Sequence, residues 1–163
     1  MSCSVPDLCD DFLEELQVLD PLFNNYGGKE KFCGEIVTVR CFEDNTKVKA
    51  ILATQGKGKV LVVDGSASMR CALLGDLLAG MGSDNGWQGV LINGCVRDVE
   101  VLRSIDLGIL ALNRHPARSK KRGDGEVGLP VRFASVSFRP GQMLYADANG
   151  TVIADRDLGT AFV

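Results

Sequence analysis

The sequence predicts a layered α/β protein, and two kinds of segment support that fold class. The stretches "GKVLVVDG" (58–65) and "GVLINGCVRD" (89–98) are continuous apolar runs, which are typical of parallel strands buried on both faces. Helical patterns alternate with these runs, whereas the tail after residue 130 alternates apolar and polar residues between Pro-Gly and Asn-Gly turns. Strand–helix alternation followed by a β-rich end favours a layered α/β architecture.

The remaining elements follow in chain order. Residues 6–19 are predicted as a helix because Leu8, Phe12, Leu16 and Leu19 fall on one face. The other predicted elements are strands over 34–42, 58–65, 70–75, 89–98 and 107–112, short helices over 47–54 and 99–105, a helix that begins at Asp76, and tail strands within 131–138, 142–150 and 151–155.

No repeat or linker interrupts this order, so residues 1–163 are predicted to form one domain, within the usual range of roughly 100–200 residues.

Composition excludes several classes of function. The net charge of −3 lacks the cationic excess that direct nucleic-acid binding needs. No apolar run is long enough for a membrane span and no signal peptide is visible, so a cytoplasmic protein is expected. The six cysteines form no CxxC pair or zinc spacing, which suits a reducing compartment. One basic stretch, "RHPARSKKR" (114–122), is predicted as a solvated loop, with ligand or partner contact as the alternative.

The candidate functional residues follow two neighbouring strands, at the sheet edge where ligands of α/β proteins collect. Gly75 allows a ligand to approach the backbone closely, and the N–H groups of Asp76, Leu77 and Leu78 begin a helix. Such orphan donors form an anion site. A plain helix cap is the alternative interpretation.

The second strand delivers a cation and a carboxylate side by side. Arg97 can bind a carboxylate bidentately, and Asp98 can bind a hard divalent cation. A surface ion pair is the alternative for these two residues alone. Together with the helix start at Asp76, these two residues predict a metal-assisted site that binds a small anion.

Several blocks carry a family resemblance: "VLVVDG", "ALLGDLLA", "GCVRD", "DLGILAL" and "ADANGTVI". They resemble the family that joins the regulator of ribonuclease activity A proteins to the class II 4-hydroxy-4-methyl-2-oxoglutarate aldolases, from Asp7 to about Asp155. The resemblance implies a swivelling three-layer β/β/α fold, assembled as a homotrimer with sites between neighbouring subunits. It also implies a metal-dependent lyase that releases pyruvate from 4-hydroxy-4-methyl-2-oxoglutarate or related acids and decarboxylates oxaloacetate.

The same resemblance implies roles for the candidate residues. Asp98 resembles the direct ligand of Mg²⁺ or Mn²⁺, and Arg97 resembles the residue that binds the pyruvyl end of the substrate. The backbone after Gly75, at Asp76, Leu77 and Leu78, would hold the substrate carboxylate, and Asp76 resembles the acid that orders a metal-bound water. A metal that polarises the 2-keto oxygen would stabilise the enolate left by C–C cleavage, so no Schiff-base lysine is needed.

A second interpretation comes from the N-terminal stretch, which is especially similar to the ribonuclease-regulator branch. Those members bind and inhibit an endoribonuclease through protein contacts, and some lack the acid that follows the arginine. This chain keeps both Asp76 and Asp98, for which a pure binder has no evident need. A lyase is therefore the favoured function, with a non-catalytic ribonuclease regulator as the alternative.

Overall fold

The computed structural model describes residues 2–159 and 161–162. The helices are α1 (Val5–Phe12), α2 (Thr46–Leu52), α3 (Asp76–Asp84) and α4 (Val99–Leu102), with a 3₁₀ turn at Leu13–Glu15. The strands are β1 (Leu16–Val18), β2 (Asn24–Asn25), β3 (Phe32–Arg40), β4 (Lys59–Asp64), β5 (Ala72–Leu74), β6 (Gly89–Val96), β7 (Gly108–Arg114), β8 (Glu126–Val127), β9 (Val131–Phe133), β10 (Val136–Phe138), β11 (Met143–Asp147) and β12 (Gly150–Ala154).

One mixed sheet organises these elements, in the order β1-β12-β11-β3-β4-β6-β7-β2. Its centre, β3-β4-β6-β7, is parallel, and β5 adds a short parallel pairing to β6. The strands β11, β12 and β1 continue the sheet in antiparallel fashion on one side. The ribbon β9-β10 is separate from this sheet.

The helices α2, α3 and α4 lie on one face of the sheet. They occur in the connections between the parallel strands β3, β4, β6 and β7, and each connection leads to the next strand in the same direction along the sheet. Right-handed crossovers then place successive helices on the same side. Accordingly, Leu61 and Val63 of β4 pack in one buried cluster with Val48, Leu52 and other helix residues.

The opposite face of the sheet is covered by the β9-β10 ribbon. Val60 and Val62 of β4 share a buried cluster with Phe133 and Phe138, whose rings stack with centroids 4.4 Å apart. Burial on both faces explains the continuous apolar run of β4. Ribbon, sheet and helices together form the predicted three-layer β/β/α fold, which is confirmed.

The predicted helix over 6–19 is wrong beyond Phe12. After the 3₁₀ turn, the chain becomes β1, in which Leu16 pairs with Ala154 on the sheet edge. The apolar residues were expected on one helical face, but Leu16 packs in the cluster beneath α1, whereas Leu19 belongs to the cluster on the ribbon side. Tertiary pairing with β12 therefore overrides the local helical spacing.

The other differences concern boundaries and short strands. β3 begins at Phe32 rather than at residue 34, and β2 and β8 were not predicted. The tail stretch 131–138 is a tight hairpin, because Ala134 and Ser135 both have positive φ. None of the described helices is long and apolar enough to cross a membrane.

Candidate functional site

A cleft of about 80 Å³ lies beyond the ends of β5 and β6. The two strands pair in parallel, with Leu74 opposite Val96, and the Arg97 N–H donates to the Leu74 carbonyl at 3.0 Å. This pairing places the residues that follow each strand side by side. The cleft is lined by every residue of the predicted site, namely Gly75, Asp76, Leu77, Leu78, Arg97 and Asp98.

Asp98 connects the two halves of the cleft. Its backbone is left-handed, with φ 58° and ψ 40°, at the N-cap of α4. In this conformation its Oδ2 accepts a hydrogen bond from the Asp76 N–H at 3.1 Å. The Asp98 carboxylate thus sits against the N-terminus of α3, where the helix dipole favours negative charge.

Arg97 and Asp98 form only a loose ion pair. The Arg97 Nε atom is 3.9 Å from Asp98 Oδ2, and the two side chains are 40% and 37% exposed. Such an exposed pair contributes little to stability. Both charges therefore remain available to a ligand in the cleft.

Gly75 is required by the close approach of Asp98. A Cβ atom at residue 75 would lie 2.5 Å from Asp98 Oδ2 and 3.3 Å from Arg97 Cγ. The sequence indicated a glycine that admits a ligand to the backbone, and the group observed there is the Asp98 carboxylate of the protein itself.

The first turn of α3 supplies the anion-binding donors. The N–H of Asp76 is engaged by Asp98, whereas the next N–H groups, of Leu77 and Leu78, belong to the turn that has no intrahelical acceptors. The Leu77 side chain is 81% exposed, and Leu78 packs against the helix-side core. Two residues whose backbone N–H groups have no intrahelical acceptor thus line the cleft together with Arg97.

The basic stretch 114–122 also reaches the cleft, through Arg118 and Lys121. Both side chains are exposed, as predicted for a solvated loop, but they form part of the cleft wall. Asn45, which is buried and hydrogen-bonded to both β5 and this loop, is a polar lining residue that the sequence did not indicate. The unusual density of cations was the only sequence signal for this contribution.

A second cavity, of about 390 Å³, shares the Arg97–Asp98 pair with the first. Glu100, Arg114 and His115 line it together with that pair. The Nδ1 atom of His115 accepts the Ala117 N–H at 3.1 Å, so the single histidine stabilises a loop turn.

The donors in the cleft fit a hydrated hard cation. No group of three or more His, Cys, Asp or Glu side chains that could hold a metal occurs within residues 2–159 and 161–162. Mg²⁺, however, is commonly held by one or two carboxylates, with water and substrate oxygens completing its octahedron. Asp98 and Asp76 offer that kind of partial ligand set.

Cysteine chemistry does not compete for this site. Burial raises the pKa of the Cys95 thiol, which follows Gly94 within β6 and contacts the Met69 sulfur at 3.3 Å. Burial, followed by nearby carboxylates, raises the pKa of Cys41 to about 12. Both thiols therefore stay protonated at neutral pH, where the thiolate would be the nucleophile.

The comparisons with known proteins identify the family. A model described as RraA-like (Aldolase/RraA) matches residues 5–153. A Pseudomonas fluorescens protein, provisionally named 4-hydroxy-4-methyl-2-oxoglutarate aldolase, is 54% identical over 94% of each chain. An Azotobacter vinelandii protein with the same provisional name is 52% identical over 97% of this chain and 98% of its own.

Two solved structures share the fold closely. A structure described as the RNA-processing inhibitor RraA from Thermus thermophilis has a TM-score of 0.94, 40% identity and 98% coverage of both chains. One from Geobacillus kaustophilus, described as S-adenosylmethionine:2-dimethylmenaquinone methyltransferase, has a TM-score of 0.93 and 46% identity, and covers 95% of this chain and 96% of its own. This chain therefore belongs to the RraA-like family of aldolases and RraA proteins.

Proposed function

We propose that this protein is a divalent-metal-dependent lyase that cleaves 4-hydroxy-4-methyl-2-oxoglutarate to pyruvate and also decarboxylates oxaloacetate. The observation that carries the proposal is the position of the Asp98 carboxylate at the N-terminus of α3, with Arg97 on the same cleft wall. A cation site, a guanidinium and free backbone donors then converge where a 2-keto acid could bind.

The size of the cleft supports a small substrate. Its volume of about 80 Å³ is well below the roughly 300–1,000 Å³ typical of pockets for drug-sized ligands. A keto acid of five or six carbons is of the appropriate class. The carboxylate next to the 2-keto group of such a substrate presents anionic oxygens to both Arg97 and the α3 N-terminus.

Arg97 is expected to hold the carboxylate at the pyruvyl end of the substrate, and the Leu77 and Leu78 N–H groups to share that anion. Cleavage breaks the C3–C4 bond, and its electron pair becomes the enolate of pyruvate. The 4-hydroxyl loses its proton and becomes the carbonyl of the second pyruvate, and Asp76 is expected to accept that proton through a water. The enolate takes a proton at C3 to complete the first pyruvate.

A divalent cation, Mg²⁺ or Mn²⁺, held at Asp98 would act as a Lewis acid on the 2-keto oxygen and stabilise the developing enolate. Oxaloacetate decarboxylation produces the same pyruvate enolate, with carbon dioxide as the leaving group. One arrangement of Arg97, Asp98 and the α3 N-terminus therefore serves both reactions.

We also propose a cytoplasmic homotrimer with sites between neighbouring subunits. Leu77, at the cleft, and Val101, on α4, are large apolar side chains that are exposed in the single chain, and such residues favour a subunit interface. The six cysteines are all free, which suits a reducing compartment. Light scattering should give a mass about three times the 17.5 kDa of one chain.

The decisive experiment measures pyruvate release, coupled to lactate dehydrogenase, from each substrate with Mg²⁺ and then with EDTA. Asp98→Asn should lower turnover at least ~100-fold, because asparagine tolerates the left-handed backbone but lacks the charge that holds the cation. Arg97→Ala should lower it comparably. Asp84→Asn, an exposed carboxylate at the other end of α3, is the matched control and should retain full activity. Turnover that survives both EDTA and Asp98→Asn would refute the proposal.

A second candidate function is a non-catalytic ribonuclease regulator, favoured by the 40% identity to the structure described as an RNA-processing inhibitor. Such binding uses protein surface rather than the cleft. Inhibition of an endoribonuclease that persists in Asp98→Asn, in a protein without lyase turnover, would establish the regulator in place of the enzyme.

A further inference from the structure

We propose that Arg118 and Lys121 bind the distal carboxylate of the substrate, and so make the site selective for dicarboxylic over monocarboxylic 2-oxo acids. The inference rests on the proposed function, because it concerns the same cleft. It assigns a specificity role to a loop that the reaction itself does not use.

The first support is position. Arg118 and Lys121 line the same cleft as Arg97 and Asp98, although they lie about twenty residues further along the chain. Arg97 and the α3 N-terminus already provide for the carboxylate next to the 2-keto group. Two further cations on the cleft wall match a second carboxylate at the other end of the substrate.

The second support is that both charges are unpaired within residues 2–159 and 161–162. Two acids that border the loop at Lys120 are engaged elsewhere: Glu43 binds Arg70 and Ser68, and Asp44 accepts backbone N–H groups. The ion pairs in this part of the chain are Lys29–Asp106, Arg40–Glu126, Arg70–Glu43, Arg97–Asp98 and Arg156–Glu15. Neither Arg118 nor Lys121 is among them.

The third support is that the loop is held in place on both sides of these cations. The Ala72 N–H donates to the Ala117 carbonyl at 2.7 Å, which fixes the loop to β5. The buried Ser119 hydroxyl accepts the Asn45 N–H at 3.1 Å, and Asp44 Oδ2 accepts the Arg122 N–H at 2.7 Å. A backbone that is already ordered loses less entropy when its side chains bind a ligand.

The charge balance of the cleft agrees with a dianion. Three cations, Arg97, Arg118 and Lys121, face two carboxylates, Asp76 and Asp98. With a divalent cation added at Asp98, the cleft is strongly positive, and such a cleft attracts a dianion more strongly than a monoanion.

Binding and turnover test the inference with matched ligand pairs. For turnover, 4-hydroxy-4-methyl-2-oxoglutarate is compared with 4-hydroxy-4-methyl-2-oxopentanoate, in which a methyl group replaces the distal carboxylate and the products are pyruvate and acetone. For binding, calorimetry with Mg²⁺ compares 2-oxoglutarate with 2-oxopentanoate, neither of which carries the 4-hydroxyl group that cleavage needs.

In the wild type, both pairs should favour the dicarboxylate at least ~10-fold. Arg118→Ala and Lys121→Ala should each weaken the dicarboxylate about 10- to 100-fold, the range expected for one charge-assisted contact, and leave the monocarboxylate almost unchanged. Lys120→Ala is the matched control, because Lys120 lies in the same loop but not on the cleft wall, and it should keep the preference.

Equal losses for both members of a pair, or a preference that survives in Arg118→Ala/Lys121→Ala, would overturn the inference. The calorimetric pair keeps this result separate from the proposed function. A wild type that prefers 2-oxoglutarate but cleaves neither hydroxy acid supports the dicarboxylate site and refutes only the lyase.

Discussion

At the scale of single residues, the backbone of Asp98 determines the geometry of the site. A left-handed conformation is uncommon outside glycine, and Asp and Asn adopt it more readily than other residues. It turns the Asp98 carboxylate towards the Asp76 N–H rather than into a tight pair with Arg97. The proposed cation site thus depends on a residue with a left-handed backbone.

Gly75→Ala should displace this carboxylate. The added Cβ would lie 2.5 Å from Asp98 Oδ2, so we expect at least a ~10-fold loss of pyruvate release, with the fold retained by circular dichroism. Gly80→Ala, within α3, is the control, because a Cβ there would meet no atom within 4 Å beyond its chain neighbours and the backbone of its own helix. It should raise stability by about 0.5–1 kcal/mol and keep activity. An active Gly75→Ala enzyme would show that the position of Asp98 is unimportant.

Cation binding at Asp98 should be measurable without substrate. A ligand that binds only the folded state stabilises it, by about 2.7 kcal/mol at a concentration one hundred times its Kd. Millimolar Mg²⁺ or Mn²⁺ should therefore raise the melting temperature of the wild type but not that of Asp98→Asn. Asp84→Asn should respond like the wild type, and an equal response of all three proteins would place the cation elsewhere.

The residues of the site differ in how well sequence could predict them. Gly75 and Asp98 each lie at the carboxyl end of an apolar strand, and ligands of α/β proteins collect at such ends, so this rule located both residues. Arg118, Lys121 and Asn45 follow no such strand. They reach the cleft only through tertiary backbone pairing, such as the bridge between Ala72 and Arg118, which local patterns do not encode.

At the scale of elements, the parallel strands were predictable and the N-terminus was not. β4 and β6 are buried on both faces, so an apolar run is sufficient to identify them. The chain from Leu16 onwards satisfies helical spacing, yet it forms an edge strand. Its partner, β12, begins at Gly150, more than one hundred residues away, so the local sequence carried no sign of the pairing.

The strands β6 and β7 both begin with glycine because the Phe32 ring lies across them. Gly89 and Gly108 are paired in register, and a Cβ on either would lie within about 2.3 Å of that ring. Gly108→Ala should destabilise the protein by about 1–3 kcal/mol in urea unfolding, the usual cost of overpacking a core. The double variant with Phe32→Leu should recover part of that loss, whereas additive losses would exclude the steric explanation.

At the scale of the whole molecule, the two outer layers of the fold differ in how well the sequence predicts them. The helical layer is dictated by the alternation of strands and helices together with right-handed crossovers. The ribbon layer is harder to predict, because its turn uses Ala134 and Ser135 in left-handed conformations rather than an Asn-Gly pair. The β-rich tail was recognised, but its division into a separate ribbon required the structure.

The response of the whole molecule to acid should depend on Asp44. This carboxylate is 2% exposed, and although burial raises its pKa, hydrogen bonds from Thr46, Arg122 and Asp124 together lower the pKa to about 2. A lowered folded-state pKa stabilises the protein fully above the unfolded value near 4, and that stabilisation is lost as the pH falls from about 4 towards 2.

Asp44→Asn should therefore lose stability at pH 7 and flatten the fall in the free energy of unfolding below pH 4. The difference from wild type should be about 2 kcal/mol at pH 7 and should shrink as the pH approaches 2. Urea unfolding at pH 7, 4 and 3 measures this difference, and Asp84→Asn, with its exposed carboxylate, should follow the wild-type curve.

Because Asp44 also anchors the loop of Arg118 and Lys121, the same substitution should weaken dicarboxylate binding more than monocarboxylate binding. Parallel acid curves for wild type and Asp44→Asn would show that the Asp44 carboxylate is not the source of this acid sensitivity.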